Sequence, residues 1–106
     1  MPTSPSKDQL FTSIKLGKQL LAHRVVLAPL TRMRNEEYVP LKPMQATYYA
    51  QRSSPGGFLI SEAALIAPSS GSYQKAPGLW NEEQKQGWRK ITEAVHQEGG
   101  IIYCQL

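Results

Sequence analysis

The chain has 106 residues, enough for one small domain, with 41% apolar residues and a formal net charge of +4. A mean hydropathy of −0.40, and no apolar run near the roughly 18 residues that cross a bilayer, argue against a membrane protein. The basic residues are scattered and aromatics do not interleave with them, so they read as a solvated exterior and no nucleic acid is expected as a partner.

Residues 1–9 are polar and proline-containing and lack the apolar core of a secretory signal. They read as a disordered lead-in, and a cytoplasmic location follows by default. Residues 10–106 would then form the folded part. From Leu10 to Leu21 the chain looks like a small hairpin: Ile14 and Leu16 alternate with polar residues, and Gly17-Lys18 can supply the turn. Its expected task is to cover one end of a sheet rather than to join it.

Val25-Val26-Leu27-Ala28 suits a strand of a parallel sheet, buried on both faces. Pro29 has no N–H to donate and ends the ladder. Thr31, Arg32 and Arg34 follow at once. A buried strand that stops at proline and hands over to polar residues reads as the C-terminal mouth of an α/β unit, where ligands bind. An arginine there could face an anionic ligand.

After a polar loop, Asn35 to Pro40, a helix is expected with Pro43 in its first turn. Met44, Thr47, Tyr48 and Gln51 share one face, and Ser53-Ser54-Pro55-Gly56-Gly57 is a stop. Tyr48 and Tyr49 read as packing onto a sheet rather than as ligand contacts. Phe58-Leu59-Ile60 begins a second buried strand that ends in Ser61-Glu62-Ala63-Ala64, small and polar. Glu62 reads as a structural carboxylate paired with a neighbouring arginine, in preference to an acid or base. The long loop from Ala67 to Trp80 is of a length that tends to carry function.

Asn81 is a good N-cap, with Glu82 and Glu83 in the first turn, where negative charge suits the helix dipole. Trp88, Ile91 and Val95 form an apolar face, and Gly99-Gly100 ends the helix. Ile101-Ile102-Tyr103-Cys104 is the third strand, ending in Gln105. Cys104 stands alone, so it forms no internal disulfide and reads as a buried packing thiol. His23 and His96 are far apart and lack cysteine partners, so no metal site is expected.

The order is therefore hairpin, β, α, β, α, β. Right-handed crossovers make the three strands parallel. Thr31, the Ser61–Ala63 segment and Gln105 then fall on one edge of the sheet. A hydroxyl, a backbone N–H and a carboxamide are neutral hydrogen-bonding groups. They suit a planar heterocycle with carbonyl and imide edges better than a phosphate or a metal.

These residues resemble a known family. His23 to Arg34, with Ala28-Pro29-Leu30-Thr31 at its centre, is similar to the first barrel strand of the old yellow enzymes. The likeness continues through Tyr48-Tyr49-Ala50-Gln51-Arg52, Leu59-Ile60-Ser61-Glu62-Ala63, Gly71-Ser72-Tyr73, Ala76-Pro77-Gly78-Leu79-Trp80 and Gln105-Leu106. It covers nearly all of the chain after Leu10, and the ordered set is specific where each motif alone is weak. The Pro-Leu-Thr form resembles the classical fungal and plant branch.

The resemblance implies a (β/α)8 barrel that holds FMN noncovalently, takes hydride from NADPH or NADH and delivers it to the activated C=C of an enone-type alkene. By matching position, Pro29 and Leu30 would border the flavin through their backbone. The Thr31 hydroxyl would bond flavin O4 and tune the ring's potential. The Ala63 N–H would reach the same edge, where many relatives carry glycine. Gln105 would hold N3 and O2 with its carboxamide. The family's substrate-binding His/Asn pair, its proton-donating tyrosine and the basic residues around the FMN phosphate have no counterpart here, and neither Tyr73 nor Tyr103 fills the proton-donor role.

A whole barrel of this type needs about 250 residues. The expectation is thus a hairpin plus about three β/α units, the N-terminal part of a barrel, whose unpaired edge makes it unstable or oligomeric alone. Its partners would be a small-molecule alkene and the remaining barrel segment or another copy of the chain. The alternative is a non-catalytic barrel fragment that acts as an interaction or complementation partner; a related barrel dehydrogenase with other substrates also fits.

Overall fold

The computed structural model describes residues 9–40, 43–70 and 75–106. The expected lead-in, apart from its last residue, and the Gly71-Ser72-Tyr73 motif lie outside the described residues.

Strands β1 (Ile14–Leu16) and β2 (Gln19–Leu21) form an antiparallel hairpin. Gly17 makes its turn at φ 60°, a conformation in which a Cβ is costly. The hairpin is a two-stranded sheet of its own. It docks at the chain entry to the main sheet, where Ala22 N–H donates to the Gly56 carbonyl at 2.9 Å. It caps the end of the sheet opposite the expected mouth, as the sequence suggested.

Strands β3 (Val26–Leu27), β4 (Phe58–Ile60) and β5 (Ile101–Tyr103) form a parallel sheet in the order β3-β4-β5. Helices α1 (Pro43–Gln51) and α2 (Glu82–Gln97) are the two crossovers. The register aligns Leu27 with Leu59 and Leu59 with Ile102. These three residues point to the helices, because side chains alternate along a strand. Tyr49, Leu59, Ala64, Trp88, Ile91 and Val95 form the core, and Leu27 and Ile102 pack against it.

Helix α2 starts where expected. The Asn81 side chain accepts from Gln84 N–H at 2.8 Å, and Gln84 Oε1 accepts from the Asn81 and Trp80 N–H groups. This is a capping box, with two orphan donors satisfied reciprocally.

Three expectations need correction. The first strand is not buried on both faces: Val25 and Val26 are 49% and 41% exposed. Val26 is left open on the face away from the helices, where its register partner Phe58 is buried and packs against the Tyr103 ring. The face of α1 that packs inward is not Met44, Thr47, Tyr48 and Gln51. Gln45 and Tyr49 are its buried residues, while Met44 is exposed and Tyr48 half-buried. The reading of Tyr48 and Tyr49 as packing residues holds, since Tyr49 is in the core and Tyr48 packs against it, but Gln45, held by its polar end, was not marked by apolar periodicity. Cys104 is exposed rather than buried. It lies just past the last ladder pair of β5, an edge strand of the described sheet.

Among the described residues, no helix is long and apolar enough to cross a membrane.

Candidate functional site

The C-terminal ends of β3, β4 and β5 open onto one rim. Thr31 follows β3 by four residues, Ala63 follows β4 by three, and Gln105 follows β5 by two. Hydrogen bonds tie the segments together beyond the ladders. Ser61 N–H donates to the Tyr103 carbonyl at 2.9 Å, and Ala64 N–H donates to the Gln105 carbonyl at 2.8 Å. The Gln105 N–H returns to Ser61 Oγ at 3.2 Å, and that hydroxyl donates to the Glu62 carbonyl. Ser61 is itself buried. It is a fastener between two rim segments that the sequence reading named only as a small residue.

On the other side of β4, Arg32 closes the gap to β3. Its guanidinium Nη2 pairs with Glu62 Oε2, and its main-chain N–H points to Glu62 Oε1 at 3.5 Å. Glu62 is 2% exposed. The structural reading of this carboxylate therefore holds, and Arg32 is the arginine that meets it. Tyr49 Oη, from α1, accepts from Glu62 N–H at 3.0 Å and from Arg32 Nη2 at 3.3 Å. Burial raises the Tyr49 hydroxyl above its ordinary pKa, so it stays protonated and neutral beside the pair. The Tyr48 ring lies under the Arg32 guanidinium at 3.9 Å and carries Arg52 at 3.8 Å.

The loop before α1 forms a further wall. Asn35 is 1% exposed and holds the Lys75 carbonyl with both its main-chain and side-chain N–H groups. Gln45 Nε2 bonds Asn35 Oδ1 and the Arg34 carbonyl, each at 3.3 Å. Composition alone marked this stretch as a polar loop. Its buried asparagine would have been legible only as one half of a pair with Gln45.

The five expected site residues thus stand at one end of the parallel sheet. Thr31, Leu30 and Gln105 are exposed, while Pro29 and Ala63 are half-buried. Among the described residues, the Thr31 hydroxyl, the Ala63 N–H and the Gln105 carboxamide bond to nothing. The N–H groups on either side of Ala63 are both committed, to Tyr49 and to Gln105. Three neutral, unpaired hydrogen-bonding groups on a rigid frame match the donor set of a planar heterocycle with carbonyl and imide edges. An open cleft of about 510 Å³ lies elsewhere, on the flank of α1, lined by Arg32, Arg34, Met44, Gln45, Tyr48 and neighbours.

Comparison with known proteins identifies the frame. Residues 9–106 match the NADH:flavin oxidoreductase / NADH oxidase family. The chain is similar to 12-oxophytodienoate reductase 2 of Arabidopsis thaliana, 47% identical over 92% of this chain and 26% of that protein. It is also similar to a flavin oxidoreductase, hxnT, of Emericella nidulans, 45% identical over 93% of this chain and 26% of that one. Among solved structures, morphinone reductase in complex with tetrahydroNAD superposes with a TM-score of 0.86 at 46% identity, over 92% of this chain and 26% of that one. The old yellow enzyme homologue of Zymomonas mobilis superposes with a TM-score of 0.86 at 42% identity, over 92% and 27%. The chain spans about a quarter of the length of these relatives, and its fold is that of the N-terminal part of their (β/α)8 barrel. Because the family match spans residues 9–106, the chain belongs to the NADH:flavin oxidoreductase / NADH oxidase family.

Proposed function

We propose that the rim is one wall of an FMN site in an NAD(P)H-dependent oxidoreductase that reduces the activated C=C of an enone-type substrate. The observation that carries this reading is the convergence of Thr31, Ala63 and Gln105 at one sheet end, with their hydrogen-bonding groups unpaired. In this reading Thr31 donates its hydroxyl to flavin O4 and stabilises negative charge there. The Ala63 N–H serves the same edge. The Gln105 carboxamide holds N3 and O2, donating through its NH2 and accepting through its oxygen. Pro29 and Leu30 border the ring with backbone. When bound, FMN supplies the hydride relay between a nicotinamide and the alkene β-carbon. The names of the 12-oxophytodienoate and morphinone reductases, and the tetrahydroNAD bound in one of them, support a nicotinamide donor and a small alkene.

The activity belongs to a whole barrel, of which this chain provides about a quarter. The exposed sheet face carrying Val26 and Tyr103 favours a second reading, in which the chain is an interaction partner for the remaining barrel segment or for its own copy. One experiment separates the two. The chain is produced together with morphinone reductase that lacks its matching quarter. A yellow complex that oxidises NADH in the presence of an enone supports the oxidoreductase reading. A stable but colourless complex supports the interaction reading alone.

A further inference from the structure

We propose that Glu62, Arg32 and Tyr49 form a clasp that sets the spacing between the Thr31 hydroxyl and the Ala63 N–H at the rim; this rests on the FMN reading above. Each clasp residue that lies on a rim segment is the immediate neighbour of a rim donor. Arg32 follows Thr31, and Glu62 precedes Ala63. The Glu62 carboxylate engages Arg32 twice, through the guanidinium and through the main-chain N–H. It therefore joins the backbone after β3 to the backbone after β4, well beyond the last ladder pair of Leu27 with Leu59.

Tyr49 completes the clasp from a third element. Its hydroxyl accepts from Glu62 N–H and from Arg32 Nη2, which fixes the peptide immediately before the Ala63 N–H. Glu62 and Tyr49 are 2% and 1% exposed, so neither relaxes into solvent. The Arg32 guanidinium is further held against the Tyr48 ring. Met33, the next residue, sits at φ 56°, in the left-handed region that a non-glycine side chain rarely keeps unless its surroundings impose it. Nothing in this arrangement places the three residues against the cofactor. They are positioning residues, and they act through Thr31 and Ala63.

The test uses the complex of this chain with the truncated morphinone reductase. Tyr49→Phe keeps the ring and its apolar contacts and removes both accepted hydrogen bonds. Three quantities are read: FMN dissociation constant, FMN midpoint potential and amide hydrogen exchange in α2. The expected result is FMN affinity about fivefold weaker, the order of one lost hydrogen bond. The potential should fall in the same direction as in Thr31→Val, and α2 exchange should not change. In the Thr31→Val background, Tyr49→Phe should add less than its full shift, since only the part of its action that passes through the Ala63 N–H remains. Should Tyr49→Phe speed α2 exchange, Arg32→Lys takes its place: it keeps the charge beside Glu62 and removes the guanidinium fork that also reaches Tyr49, with shifts expected in the same direction.

Wild-type FMN affinity and potential in a folded Tyr49→Phe variant would overturn the clasp and leave the FMN reading standing. So would shifts that add fully to those of Thr31→Val. A wild-type complex that takes up no FMN defeats the FMN reading and the clasp with it.

Discussion

The Arg32–Glu62 pair makes the sharpest energetic prediction. Glu62→Gln keeps the shape of the side chain and removes its charge. The side chain of Glu62 is 1% exposed and that of Arg32 is 16% exposed. Breaking a buried pair by removing one partner typically costs about 3–5 kcal/mol, because the other charge is left uncompensated. The partial exposure of Arg32 and its contact with Tyr48 lower that figure, so about 2–3 kcal/mol is expected. Arg32→Met should cost a similar amount, about 3 kcal/mol, since it strands a carboxylate with almost no access to water. The double variant removes both charges at once. It should fall within about 1 kcal/mol of the parent, because replacing a whole buried pair by neutral groups is often close to neutral. The cycle should then miss additivity by about 4–6 kcal/mol, the sum of the two single costs less that of the double variant. Urea denaturation of the 106-residue chain, followed by far-ultraviolet circular dichroism at one low protein concentration, measures all four. A Glu62→Gln variant within about 0.5 kcal/mol of the parent would refute the reasoning, because a screened surface pair gives that result.

Three further outcomes follow from the same coordinates. Asn81→Ala removes the acceptor for Gln84 N–H and should cost about 1 kcal/mol in the same denaturation assay, with no loss meaning that the capping box contributes nothing. The raised pKa of Tyr49 predicts an alkaline limb in stability. An unfolded tyrosine loses its proton near pH 10.0, below the pH at which Tyr49 loses it when folded, so stability is full below that point and falls as pH rises through the folded value. Tyr49→Phe should flatten this limb when stability is followed from pH 9 to 12, and an unchanged limb would contradict the assignment. Tyr103→Lys puts a charge on the open sheet face, where Tyr103 is 51% exposed beside the Phe58 ring. If that face drives self-association, the variant should sediment as a smaller species than the parent with equal helix content; identical sedimentation of the two chains would refute it.

The βαβαβ frame was legible because its signals are local. Pro29 and the glycines around residues 56 and 99 punctuate it, and Asn81 with Trp88, Ile91 and Val95 writes an amphipathic helix directly. The parallel order of the three strands followed from their helical crossovers, and the expectation that Glu62 would meet an arginine held. What stayed hidden was polar and long-range. The inward side of α1 is set by Gln45 and Tyr49, whose anchors lie at Asn35 and Glu62. No hydrophobic period encodes such bonds. Ser61 was read only as a small polar residue at the strand end, yet its hydroxyl ties the segment after β5 to the segment after β4. The exposure of Val26 and Cys104 escaped because burial was inferred from residue type, whereas Val26 lies on a sheet edge and Cys104 just past the end of β5.

The central claim is that Thr31 and Gln105, distant in sequence, grip one flavin. It is tested most directly by FMN titration of the complemented barrel carrying Thr31→Val, Gln105→Leu or both, with flavin absorbance and fluorescence as readouts. Each hydrogen bond lost should weaken binding by about two- to tenfold, the two variants together should weaken it further, and the flavin absorption band should shift in both. FMN bound by the double variant as tightly as by the parent, with an unshifted spectrum, would contradict the account.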